Sequence, residues 1–147
     1  MTGKRIGIVG SRQWKNREAV ETLVHMFPGD VTIVSGGCEG VDTWAAETAR
    51  QRRLVVVEHL PDLPPPGSPQ WKFTKAYHTR NRLIAEDVDI LYAFVAKDRR
   101  GGTENTIKHA MELDIRVEVI FERSEPPSLD ESQLVFEDTK WVDDDCD

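Results

Sequence analysis

The sequence predicts an α/β protein, a Rossmann-like three-layer sandwich with a mainly parallel sheet of about five strands. Two observations carry this reading. Short β-branched runs recur along the chain, "KRIGIVG", "VTIVSG", "RLVVVEHL", "DILYAFV" and "RVEVIF", and the near-continuous apolar character of the second, third and fourth is that of strands covered on both faces. Between them lie segments with helical spacing. The order is βαβαβ, a proline-rich connection, then αβαβ, and such alternation implies right-handed crossovers between parallel strands.

Taken in order, the first strand leaves through "GSR", Gly10 to Arg12, and is followed by an apolar stripe at Val20, Leu23, Val24 and Phe27. The second strand enters Ser35-Gly36-Gly37, and after Gly40 a stripe of Val41, Trp44, Ala45, Thr48 and Ala49 marks a helix with Asp42 in its first turn. The third runs into "PDLPPPGSPQW". Each proline there lacks a donor and fixes φ, so the segment is neither helix nor central strand but an ordered surface loop or a lid. Helical spacing resumes over Lys75 to Glu86, where Tyr77 and Ile84 mark an apolar stripe and Arg80 and Asn81 fall at the offsets that face the protein. The fourth strand leaves through "RRGGTEN", with Thr103 as the N-cap of a helix carrying Ile107, Ala110 and Met111. The fifth strand ends at Phe121.

At 147 residues the chain is the size of one domain. Its net charge of −7 is unevenly spread. Residues 122–147 carry ten acids and two bases, a net of −8, which leaves +1 for residues 1–121. The sequence thus divides into a near-neutral folded body, 1–121, and an acidic C-terminal tail, 122–147, expected to be solvated. The acidic total does not exclude an anionic ligand. Cys38 and Cys146 stand far apart without His/Cys clusters, so neither a disulfide framework nor a zinc site is supported. No apolar run spans a bilayer and no signal peptide is present, which predicts a reduced, cytoplasmic protein with no membrane partner.

In an open parallel sheet, ligands collect outside the carboxyl ends of the strands, where strand-to-helix turns present unpaired amides. Three small-residue turns share this position and converge on one rim: Gly10, Ser11 and Arg12; Ser35, Gly36, Gly37, Gly40, Val41 and Asp42; and Gly101, Gly102 and Thr103. Glycine there permits positive φ and lets a phosphate or ribose approach without a Cβ in the way, and the helix dipole favours an anion. The pattern G-G-x-x-G is not the dinucleotide fingerprint, and no Walker lysine follows. A second reading of each turn is a tight turn with nothing bound. Asp42 either complements the helix dipole or accepts hydrogen bonds from ribose hydroxyls while amides after Gly36 and Gly37 hold a phosphate. Arg80 is either a planar donor fork for a phosphate or a structural group paired with Asp87 or Asp89. Trp44 and Trp71 read as core and loop anchors, and Cys38 has no partner base that would make it a nucleophile.

"SGGCEGVDTWAAETA", with "GSR" ahead of it and "RN" and "GGT" behind it, resembles the SLOG superfamily of Rossmann-like nucleotide-binding domains over roughly Lys4 to Phe121. Its branches include DprA/Smf DNA-processing proteins, Lonely-guy phosphoribohydrolases and YspA-like proteins. The YspA-like branch is the most similar, in S-G-G-x-x-G-x-D, in the Pro-x-x-Trp loop (Pro69 and Trp71, offset by one) and in the Arg80-Asn81 pair. The resemblance implies a nucleotide or nucleotide-derived ligand. Against the Lonely-guy pattern, His78 and Arg80 match, Asn81 replaces a lysine, and Asn105 and Thr106 stand where paired glutamates are expected, with Glu104 one place early. A glycosidic-bond hydrolase of that kind lacks its carboxylates.

Three functions follow as expectations. The first is a binding module or sensor for an ADP-ribose-like or nucleoside phosphate ligand, without cofactor or metal. A phosphoribohydrolase using Arg80 and Glu104 is the second. The third is DprA-like binding of single-stranded DNA, which needs a basic groove and is disfavoured by the charge of the body. Further copies of the same chain are the expected protein partner.

Overall fold

The computed structural model describes residues 3–122. The expected acidic tail, beyond Glu122, lies outside the described residues. Nine elements follow one another: β1 (Arg5–Gly10), α1 (Arg17–His25), β2 (Thr32–Ser35), α2 (Val41–Gln51), β3 (Val55–Glu58), α3 (Gln70–Glu86), β4 (Ile90–Val95), α4 (Gly102–Glu112) and β5 (Arg116–Phe121). The five strands form one sheet in the order β3-β2-β1-β4-β5. Every pairing is parallel, with Ile6 opposite Ile33 on one side and Ile90 on the other. The expected Rossmann-like α/β layout is therefore the observed one.

Period-two alternation divides the strand residues between two cores. On one face Ile6, Ile8 and Ile33 pack with Val20, Val24, Ala45 and Ala49 of α1 and α2. On the other, Val9, Val34, Leu91 and Ala93 pack with Ile84 and Ala85 of α3 and Ile107 and Ala110 of α4. Each face removes apolar area from water at roughly 25 cal/mol per Å², which is why the central strands read as continuous apolar runs.

Four local expectations are corrected. β3 is an edge strand, and its Val55 is exposed rather than covered on both faces; burial depends on the position in the sheet, which an apolar run does not encode. α3 starts at Gln70 behind Pro69, five residues before the expected Lys75, so Trp71 stands exposed in its first turn and not in a loop. Proline is accepted there because the first amides of a helix need no intrahelical partner. α4 is N-capped by Gly101, and Thr103 is already inside the first turn. Met111, expected on the apolar stripe of α4, is exposed.

The architecture decides where a site can form. β1, β2 and β3 step outward in one direction, and α3 then carries the chain back across the sheet so that β4 and β5 grow the other way from β1. The reversal leaves a crevice between the carboxyl ends of β1 and β4. Such switch points are where doubly wound sheets hold ligands.

Candidate functional site

The turn after β2 is folded by its own side chains. Asp42 Oδ2 accepts from the amides of Gly36 (3.2 Å) and Cys38 (3.4 Å), and Ser35 Oγ accepts from Gly37 N (3.3 Å) while donating to the Asp42 carbonyl (3.1 Å). The amides expected to hold a phosphate thus already have acceptors. Arg80, 3% exposed, donates to the Gly36 carbonyl (2.5 Å), Cys38 Sγ (3.4 Å) and Asn81 Oδ1 (2.9 Å). Its fork clamps the turn to α3. The acids expected as structural partners of Arg80 lie elsewhere: Asp87 pairs with Arg5 (2.7 Å) and meets His59 (2.7 Å), and Asp89 accepts from the Arg5 amide.

The glycines have protein reasons too. A Cβ at Gly36 would fall 2.8 Å from Asp42 Oδ2 and 2.9 Å from Arg80 Nη1, one at Gly37 2.5 Å from Leu60, and one at Gly10 2.5 Å from Val41. Gly37 also has φ +74°. Val41 itself is wholly buried in the core. After β1, Ser11 Oγ shapes its own turn by accepting from Gln13 N (3.0 Å), and Arg12 is exposed. Gly40, with φ +91°, is the N-cap of α2 and has open space around its Cα.

The turn after β4 differs. Gly101, with φ +97°, is the N-cap of α4 and, like Gly40 at α2, has no side chain with which to cap it. Thr103 is 2% exposed, and its Oγ1 has no hydrogen-bond partner. Glu104 is gripped at both oxygens by Arg99, at 2.7 and 2.8 Å. Asn81 Nδ2 reaches the Gly102 carbonyl (3.3 Å) and Asn105 Oδ1 (3.1 Å), while Thr106 Oγ1 donates to Gly102 O (3.0 Å). These bonds fix the first turn of α4 against α3.

Three cavities adjoin these elements. At the switch point a cavity of about 10 Å³, the size of one water or one phosphate oxygen, is lined by Gly10, Asp42, Arg80, Asn81, Gly102 and Thr103. The three expected turns do contribute to one place, together with the Arg-Asn pair. A groove of about 380 Å³ runs between the proline-rich segment and α3, with Arg80 in its lining. A third, of about 520 Å³, lies between α3 and α4 and contains Trp71, Lys75, His78, Arg82, Asn105 and His109. Burial pushes the His109 pKa down, and the charges of Arg82, His78 and Lys108 push the same way against Glu112. Among the described residues, no group of three or more His, Cys, Asp or Glu is arranged to hold a metal, and no helix is long and apolar enough to cross a membrane.

Sequence reasoning missed the roles of Arg99, Leu60 and Asn105. Asn105 had a legible signal, since it lies three residues after Gly102, on the same side of α4. Arg99 and Leu60 act from loops, where spacing says nothing.

A family model described as "YspA, cpYpsA-related SLOG family" matches residues 4–64. The chain is 29% identical over 119 residues to Gene 61 protein of Mycobacterium phage D29, covering 78% of this chain and 94% of that protein. It is also similar to the X-ray structure of DNA processing protein A (DprA) from Streptococcus pneumoniae, with a TM-score of 0.68 at 22% identity over 97% of this chain. The match spans 59% of the DprA chain. At that identity the likeness speaks to the fold.

Proposed function

We propose, for a chain of the SLOG superfamily, a binding module for a nucleotide or nucleotide-derived ligand whose phosphate is held at the first turn of α4. One observation carries the reading. A buried hydroxyl without a partner costs on the order of 1–3 kcal/mol, and Thr103 Oγ1 is such a group, in the first turn of a helix whose cap residue is glycine, beside the switch-point cavity. A phosphate oxygen seated there accepts from the hydroxyl and from the α4 amides, with the helix dipole adding to the attraction. Asn81 and Asn105 hold that turn in place, and Arg80 serves as the clamp behind it.

The hydrolase alternative needs a carboxyl group that gives or takes a proton. Glu104 is committed at both oxygens to Arg99, an arrangement that positions the loop.

The test is Thr103→Val. Valine keeps the shape and removes the hydroxyl, so the free protein should melt at an unchanged or slightly higher temperature. Calorimetric affinity for AMP or ADP-ribose should fall by about 1.5–3 kcal/mol, roughly ten- to a hundredfold, the range for a hydrogen bond to a charged group. Equal affinity in both proteins rejects the proposed seat. Free base released from AMP by wild type but not by Glu104→Gln would replace binding with hydrolysis.

A further inference from the structure

The groove between the proline-rich segment and α3 has an unusual wall. Leu60 is 68% exposed, Leu63 47% and Leu83 44%, and all three line this one cleft, two from the loop and one from the helix. Its volume of about 380 Å³ falls within the range of small-molecule sites. The loop wall is built rather than slack. Pro61, Pro64, Pro65 and Pro66 fix φ, Gly67 turns at φ +90°, and Ser68 closes onto the Pro65 carbonyl through both its amide (3.1 Å) and its hydroxyl (2.7 Å). Leu60 is seated on Gly37, which ties the wall to the turn after β2.

The charges are sorted between the two walls. Lys72 and Lys75 stand three residues apart on α3, so they share a face, and both line the groove. Asp62 is on the loop side. Arg80 lines both this groove and the switch-point cavity.

We infer that this groove seats the nucleobase of the ligand, an aromatic heterocycle lying between Leu63 and Leu83, with its phosphate-bearing sugar directed past Arg80. The inference rests on the phosphate seat proposed above and extends it to a second, apolar half of the same ligand. The apolar walls recognise a flat ring, because removing its faces and theirs from water is favourable. The Asp62 carboxylate repels a phosphate and accepts from an exocyclic amine, which orients the ring toward the loop. Lys72 and Lys75 attract the ligand's negative charge and steer its approach. Proline preorganisation lowers the ordering cost that a flexible lid would add on binding.

Calorimetry with AMP and with ribose 5-phosphate separates the halves. Wild type should bind AMP about tenfold or more tightly than ribose 5-phosphate, the scale of burying one apolar side chain's worth of surface. Leu63→Ser and Leu83→Ser, both at exposed positions that leave the two cores intact, should bring AMP down to the affinity of ribose 5-phosphate, with melting temperatures confirming folded protein. AMP bound no more tightly than ribose 5-phosphate, or bound equally by wild type and both variants, overturns the base seat and leaves the phosphate seat standing. No heat from either compound overturns both.

Discussion

Two Gly-Gly turns leave the strands that flank β1 on either side, β2 and β4, and they have opposite chemistry. After β2, the amides of Gly36, Gly37 and Cys38 are bound by Asp42 and Ser35, and the glycines exist because Arg80, Asp42 and Leu60 occupy the space a Cβ needs. After β4, Gly101 is again a glycine cap, and the Thr103 hydroxyl in the first turn of α4 has no hydrogen-bond partner. In the turn after β2 the side chains satisfy the amides; in the turn after β4 a buried hydroxyl is left without an acceptor. A glycine pair at a strand end therefore reports close approach, and the approaching group is as readily a neighbouring side chain as a ligand.

Substitutions on the two sides of this contrast should separate stability from binding. The largest effect is expected from Asp42→Ala, which leaves the buried amides of Gly36 and Cys38 without their acceptor at about 1–3 kcal/mol each. Urea unfolding should show a lower midpoint at unchanged slope. A midpoint within error of wild type would mean that water replaces the carboxylate and that the turn is not closed. Gly36→Ala comes next, because its Cβ meets both Asp42 and Arg80, and overpacking of this kind costs about 1–3 kcal/mol. An intact melting temperature with lost nucleotide binding would move Gly36 from structure to ligand contact and break the comparison.

On the α4 side, Glu104→Gln leaves the largely buried Arg99 facing an amide in place of a carboxylate, and a drop of about 1–3 kcal/mol with AMP affinity nearly kept would confirm a positioning role. The smallest effect belongs to acid. Burial pushes the Asp87 carboxyl up, but hydrogen bonds from Arg5 and His59 outweigh it and hold its pKa below the ordinary 3.8. A carboxylate with a depressed folded pKa adds stability above its unfolded value and loses it as pH falls through the folded one. Melting temperature should therefore drop below about pH 4 in wild type and drop less in Asp87→Asn.

The sheet and its helices were legible because two periods, 2 and 3.6, survive in the apolar residues of every element. The inward placement of Arg80 and Asn81 on α3 was legible from their offsets from Tyr77 and Ile84. What each group does there was not. The acceptor for the Gly36 amide is six residues on and the Gly36 carbonyl that Arg80 clamps is forty-four away from it, and no local pattern encodes pairings closed by packing α3 against the β2–α2 turn. β3 failed for a related reason: its valines are written like those of β2, and only the strand order makes one of them an edge.

That strand order also has a kinetic meaning. Ile6 pairs with Ile90, eighty-four residues along the chain, whereas Ile6 and Ile33 are much closer in sequence. Closing the longer loop costs more chain entropy and is slower, so the crevice between β1 and β4 is completed only after the most distant pairing in the sheet has formed. A ligand bound in that crevice recognises an event late in folding. Saturating AMP should then lower the unfolding rate and leave the refolding rate nearly untouched, as expected for contacts absent from the transition state.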